Sequence, residues 1–123
     1  MIFLDNCHQS FFNENGFIIL PVLSDKICDD FIEIIEQCDD KPNKPFFISI
    51  ELKNREKRIE LQQKLTDILM QKSTIFDKVK QHFKIFSTSF ISQTNEKKSG
   101  FDLHTDWSFF DQVKNNPVFI WIP

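Results

Sequence analysis

Apolar positions along this chain recur in two ways, at helical spacing and in short unbroken runs, and turn-forming residues separate one kind from the other. Across residues 5–15 the apolar pair Phe11 and Phe12 sits in a polar run closed by Asn15-Gly16. That pattern predicts a short helix ended by a glycine free to adopt the left-handed conformation. Residues 17–23 are apolar with Pro21 near the end, which predicts a strand covered on both faces. Ser24 then stands as a helix N-cap, and Asp25 falls in the first turn, where a carboxylate meets the positive end of the dipole. Ile27, Phe31, Ile34 or Ile35, and Cys38 follow at helical spacing. Asp29, Asp30, Glu33 and Glu36 form the solvated side of that helix rather than a metal site.

Residues 39–45, with Lys41-Pro42 and Lys44-Pro45, break the pattern into a loop. Residues 46–50 fit either a strand or an apolar lead into the next helix, and periodicity leaves both open. Over residues 51–72 charges alternate in sign around the stripe Leu61, Leu65, Ile68 and Leu69, predicting a long, salt-bridged helix. Its basic start is interleaved with Glu51, Glu56 and Glu60 and reads as a solvated face, not a phosphate-binding patch. A further short helix is expected over 74–82, with Phe76, Val79 and Phe83 turned inward. Strands are expected over 85–92, 101–107 and 118–122, the first two joined by a polar loop. The order predicts an α+β domain, mainly helical over 1–83 and carrying its first core strands over 84–123.

Composition narrows the class. A chain of 123 residues, 41% hydrophobic and 27% charged, can build one modest core. Fifteen Phe and no Tyr point to a core made from Phe. A net charge of −3 argues against nucleic acid or an acidic membrane surface as partner. No apolar run approaches the roughly 20 residues of a membrane span, and Asp5 interrupts the apolar start before any signal-peptide pattern develops. Cys7, Cys28 and Cys38 are odd in number and lack C-x-x-C spacing, which speaks against a zinc knuckle or a disulfide framework. A reducing, cytoplasmic location follows as the expectation. Cys28 and Cys38 then act as small apolar residues on their helix.

The stretch Phe101-Asp102-Leu103-His104-Thr105-Asp106-Trp107 carries the candidate chemistry. In a strand, residues i and i+2 share a face, so the His104 imidazole and the Asp106 carboxylate can reach one ion from one wall of a pocket. With a second His from elsewhere, that is the two-His, one-carboxylate set that leaves open positions on non-haem ferrous iron. His82 sits at the end of an expected helix, where C-capping is the commoner role, and His8 lies on the opening helix as a surface or half-buried residue.

The run LHTDWSFFDQVKNNPVFIWIP, residues 103–123, resembles the phytanoyl-CoA dioxygenase-like family of iron- and 2-oxoglutarate-dependent oxygenases. NENGFIILPVLSDKICDDF, residues 13–31, is similar to that family's opening helix, Asn-Gly turn, apolar strand and next helix. The resemblance implies helices packed on a double-stranded β-helix, a jelly-roll or cupin-like core, here with only its first few strands. It implies Fe(II) held by His104 and Asp106, with Thr105 between the ligands near the co-substrate. Trp121 is implied to line the 2-oxoglutarate pocket, and Trp107 to shape the mouth. The implied reaction is hydroxylation of a small organic substrate by O₂, coupled to decarboxylation of 2-oxoglutarate.

The family's second His and the basic residue that anchors 2-oxoglutarate normally come from strands beyond the position of Pro123. The chain is therefore expected to be the N-terminal portion of such an oxygenase and inactive in isolation. A catalytically dead relative and a small α+β interaction domain stay open beside it.

Overall fold

The computed structural model describes residues 1–39, 44–80, 83–93 and 118–123, and within them the chain is α+β, with three helices and a two-stranded antiparallel sheet. Helix α1 (Asn6–Asn15) starts where the Asp5 carboxylate accepts the His8 amide at 2.9 Å, satisfying an N–H that the first turn leaves without an intrahelical acceptor. It ends at Gly16, whose φ of 78° is left-handed and whose N–H returns to the Phe12 carbonyl at 2.8 Å. Helix α2 (Asp25–Glu36) follows Ser24, which has extended N-cap geometry although its hydroxyl makes no capping bond.

Helix α3 (Arg55–Lys72) begins later than the charge pattern alone implies, because Asn54 caps it. Asn54 Oδ1 accepts the amides of Glu56 and Lys57 at 3.0 and 3.2 Å, and residues Ser49–Glu51 ahead of it form a 3-10 turn. Arg58 folds back to donate to the Leu52 carbonyl at 3.0 Å, locking the turn to the helix. Lys72, in the last turn, reaches Asp30 of α2 at 2.6 Å and ties the two helices at one end.

The alternatives over residues 46–50 resolve as a strand and a turn. Strand β1 (Phe46–Ile48) pairs antiparallel with β2 (Ile91–Gln93), Phe46 opposite Gln93, Phe47 opposite Ser92 and Ile48 opposite Ile91. The pairing runs one step further through Ser49 and Phe90. The Ser49 amide donates to the Phe90 carbonyl, and the Phe90 amide donates to Ser49 Oγ, each at 3.0 Å. This bond explains a buried serine beside a core strand, since its hydroxyl stands in for the next rung of the ladder. The sheet joins a strand of the mainly helical stretch to one of the stretch that follows it.

The core lies between this sheet and the helices. Phe47, Leu52, Leu61, Leu65 and Phe90 form its buried centre, with Phe31, Ile34, Ile35 and Cys38 of α2 and the residues after it packed against them. Phe47 is 2% exposed, and its ring meets Phe90 edge-on, with centroids 6.0 Å apart. Thr66 of α3 and Thr88 hydrogen-bond at 2.9 Å and share the Gln62 carbonyl, pinning the approach to β2 against the helix.

A second seam closes around the first residues. Gln9, a buried polar side chain on α1, accepts the amides of Ile2 and Phe3 on Oε1 and donates from Nε2 to Asn13 Oδ1 at 2.7 Å. Phe3 forms an isolated antiparallel bridge with Val79, framed by Leu4 N–H to the Lys78 carbonyl and Lys80 N–H to the Ile2 carbonyl, both 2.9 Å. Of the helix expected over 74–82, residues 81 and 82 lie outside the described residues, and over 74–80 this bridge overrides it. Only Ile75–Asp77 makes a 3-10 turn, and the β-branched Val79 is extended against Phe3 instead.

Three further expectations differ from the structure. Residues 17–23 form no strand, since a strand needs a ladder partner and none of the described residues supplies one. Its backbone is tied to the rest of the described fold through the Val22 carbonyl, which accepts the Thr74 amide at 3.1 Å. It is not covered on both faces either, with Ile19 86% exposed. Of residues 85–92, only the end joins a strand. Residues 118–122 adopt no regular element, and all five side chains are exposed. Among the described residues the sheet has two strands, and no jelly-roll is formed by them.

Truncating Phe47 to Ala should lower unfolding free energy by about 3–5 kcal/mol, read from urea denaturation at constant m-value. A loss below about 1 kcal/mol would mean that the core does not centre on this ring. Replacing Gln9 with Ala leaves the Ile2 and Phe3 amides without their acceptor and should cost about 1–3 kcal/mol, with amide exchange at Phe3 accelerating. Unchanged exchange there would refute the clamp.

Candidate functional site

The residues with the sharpest chemistry, His104, Thr105, Asp106 and Trp107, lie outside the described residues, as does His82. Trp121 is 66% exposed, in a segment with no hydrogen-bonded strand partner among the described residues. Neither of the two clefts described below has it in its lining. Among the described residues, no group of three or more His, Cys, Asp or Glu side chains is placed to hold a metal ion. Nor is any helix among them long and apolar enough to cross a membrane.

Two clefts can be built from the residues upward. The first, of about 380 Å³, opens between α1 and the extended segment that follows Gly16. Gly16 reverses the chain so that Phe17 lies edge-on to Phe11 at 6.0 Å, and Ile18 and Ile19 continue along the same cleft as Cys7 and His8. His8 packs edge-on against Phe3 at 6.3 Å, and its Nδ1 is buried with no hydrogen-bond partner among the described residues. The imidazole is half-buried, within the range expected of it from the sequence. Beside it the Asp5 carboxyl is held below its ordinary value, chiefly because it accepts the His8 amide.

The second cleft, of about 630 Å³, runs along the outer face of α3. Gln63, Thr66, Asp67 and Met70 fall at spacings of three and four, which puts them on one side of the helix. The other wall comes from the 3-10 turn and the segment after it, through Phe76, Lys80, Phe83, Lys84 and Ile85. The sequence does contain the signal for this groove. Residues 63–70 repeat at helical spacing on the face opposite Leu61 and Leu65, a pattern that reads at first as an ordinary solvated side. The second wall was hidden, because a helix over 74–82 would have turned Phe76 and Phe83 into the core.

On the exposed side of α3, Glu60 is also held below its ordinary value, mainly by the hydrogen bond from Lys64 at 2.7 Å. Both groups are fully solvated, so these are local adjustments rather than signs of a reacting centre.

Comparison of the chain with protein-family models, with curated proteins and with solved structures returns no match. The candidate chemistry therefore stands on the residues themselves.

The depressed Asp5 value carries a sign. A carboxyl whose folded value lies below its unfolded one stabilises the fold at pH above the unfolded value, and that contribution fades as pH falls through the folded value. The His8 amide resonance should therefore titrate below about pH 4, with the first turn of α1 losing helical shifts in step. Asp5→Asn should flatten the titration. A His8 amide that is pH-independent between pH 5 and 2 in the unsubstituted chain would rule out the cap.

Proposed function

We propose that this chain carries the proximal part of a non-haem Fe(II)/2-oxoglutarate-dependent oxygenase that hydroxylates a small organic substrate. The supporting observation is the order His104-Thr105-Asp106-Trp107, followed after a polar connection by the apolar run that contains Trp121. The donor chemistry suits ferrous iron: one imidazole nitrogen and one carboxylate oxygen, two positions apart, make up two of the three ligands of its facial set. His104 and Asp106 would hold the metal, Thr105 would stand beside the co-substrate and Trp121 would line its pocket. Bound iron and 2-oxoglutarate supply the oxidising chemistry, with O₂ as the second substrate.

The chain's own part is positional. On a strand, residues two apart share a face, so His104 and Asp106 would meet the ion from one side. Trp107 and Trp121 add apolar area that keeps bulk water from the site. The second imidazole and the basic anchor for 2-oxoglutarate are not assigned among these 123 residues, so turnover by the isolated chain is no part of the proposal.

The finer architecture belongs to the same proposal, with helices packed on a jelly-roll core of which this chain supplies the first strands. Exposed apolar side chains at Phe17, Ile19 and residues 118–122 support it. A double-stranded β-helix covers such runs with further strands, whereas a small self-sufficient domain keeps them few.

Anaerobic titration with Mn(II) should broaden the NMR signals of His104 and Asp106 first, and the double substitution of both by Ala should abolish that broadening. Broadening that centres elsewhere, or that survives the substitution, would sink the metal assignment. With Fe(II) and 2-oxoglutarate the chain alone should show neither a visible charge-transfer band nor succinate. Sustained succinate formation would overturn the view that ligands are missing.

A further inference from the structure

The groove on the outer face of α3 has a composition that selects a ligand. Its apolar surface comes from Met70, Phe76, Phe83 and Ile85, of which Met70 is 54% exposed. Its charged groups are the Lys80 and Lys84 ammonium groups and the Asp67 carboxylate. Asp67 is already engaged, accepting from Gln63 Nε2 at 2.8 Å. Neither ammonium has a carboxylate partner among the described residues, although the chain as a whole carries a net charge of −3. Among the described lining residues, two cations against one anion leave one positive charge. The volume of about 630 Å³ lies within the range of small-molecule sites, which combine a mostly apolar lining with a few polar groups.

We propose that this groove binds an amphipathic carboxylate, its apolar chain laid on Met70, Phe76, Phe83 and Ile85 and its single negative charge met by Lys80 and Lys84. The two parts of the site do different work. Apolar contact supplies the affinity, because it removes from water a surface that the fold leaves exposed. The two ammonium groups supply the choice of sign, because opposite charges attract across a half-buried cleft more strongly than in bulk water. A cationic amphiphile of the same length would meet two like charges. None of the residues named for this groove is among the proposed metal ligands, so the two proposals are tested separately.

The full chain, ¹⁵N-labelled, is titrated at low ionic strength with decanoate below its micellar range, and separately with decyltrimethylammonium. Decanoate should shift the amides of Met70, Phe76 and Lys84 along one saturable curve, and the cation should not. Lys84→Glu combined with Lys80→Glu should weaken decanoate binding about tenfold or more, and added salt should weaken it for the unsubstituted chain. Met70→Glu, at an exposed position that should not disturb folding, should abolish binding by placing a carboxylate where the chain lies. Amide spectra of each variant report whether it is folded. Equal binding of the two amphiphiles, decanoate shifts confined to residues 118–122, or affinity unchanged in both folded variants would each overturn the proposal. Association with phosphatidylglycerol vesicles without decanoate binding would also overturn it and assign the groove to a membrane surface.

Discussion

The core between the sheet and the helices depends on one phenylalanine ring, Phe47, covering Leu61 and Leu65 of α3. Helix α3 is rich in charge, and its stability in the fold comes from the side that Leu61 and Leu65 present to the core. Helix α2 packs on that side without burying any residue of its own completely, so it cannot close the core alone. Closure comes from Phe47, the middle residue of a three-residue strand, with Phe90 across the sheet. A two-stranded sheet is marginal in water by itself. Here the sheet and the helix stabilise each other through one aromatic pair, and the ladder and the core form or fail together.

Much of this was legible because local chemistry and burial agree. Asp5, Gly16 and Ser24 mark helix boundaries by the backbone conformations found there, and the stripe on α3 appears at the expected positions, all four residues buried. The disagreements share one cause, which is partners distant in sequence. Val79 looks helical until Phe3, at the other end of the described fold, offers it a bridge. Residues 17–23 look like a buried strand because their composition reports hydrophobicity, but pairing requires a neighbour, and composition carries no information about one. Residues 46–50 were ambiguous for the same reason until β2 supplied the ladder.

The candidate chemistry divides along the same line. His104 and Asp106 can be proposed as a pair from spacing because both lie in one short stretch, whereas a third ligand would have no spacing rule to announce it. The groove on α3 is the reverse case. None of its residues attracts notice alone, and it exists only because a 3-10 turn replaces a longer helix and leaves Phe76 half-buried beside Lys80.

The bridge between Phe3 and Val79 also governs when the molecule can form. It joins positions 76 residues apart, 79 less 3, and so closes a loop whose entropic cost falls due before any of its contacts exist. While the chain is being synthesised, Phe3 waits until residue 79 has cleared the ribosome. Throughout that interval the N-terminal apolar residues are open to other chains, and a chaperone that engages nascent polypeptide would find them there.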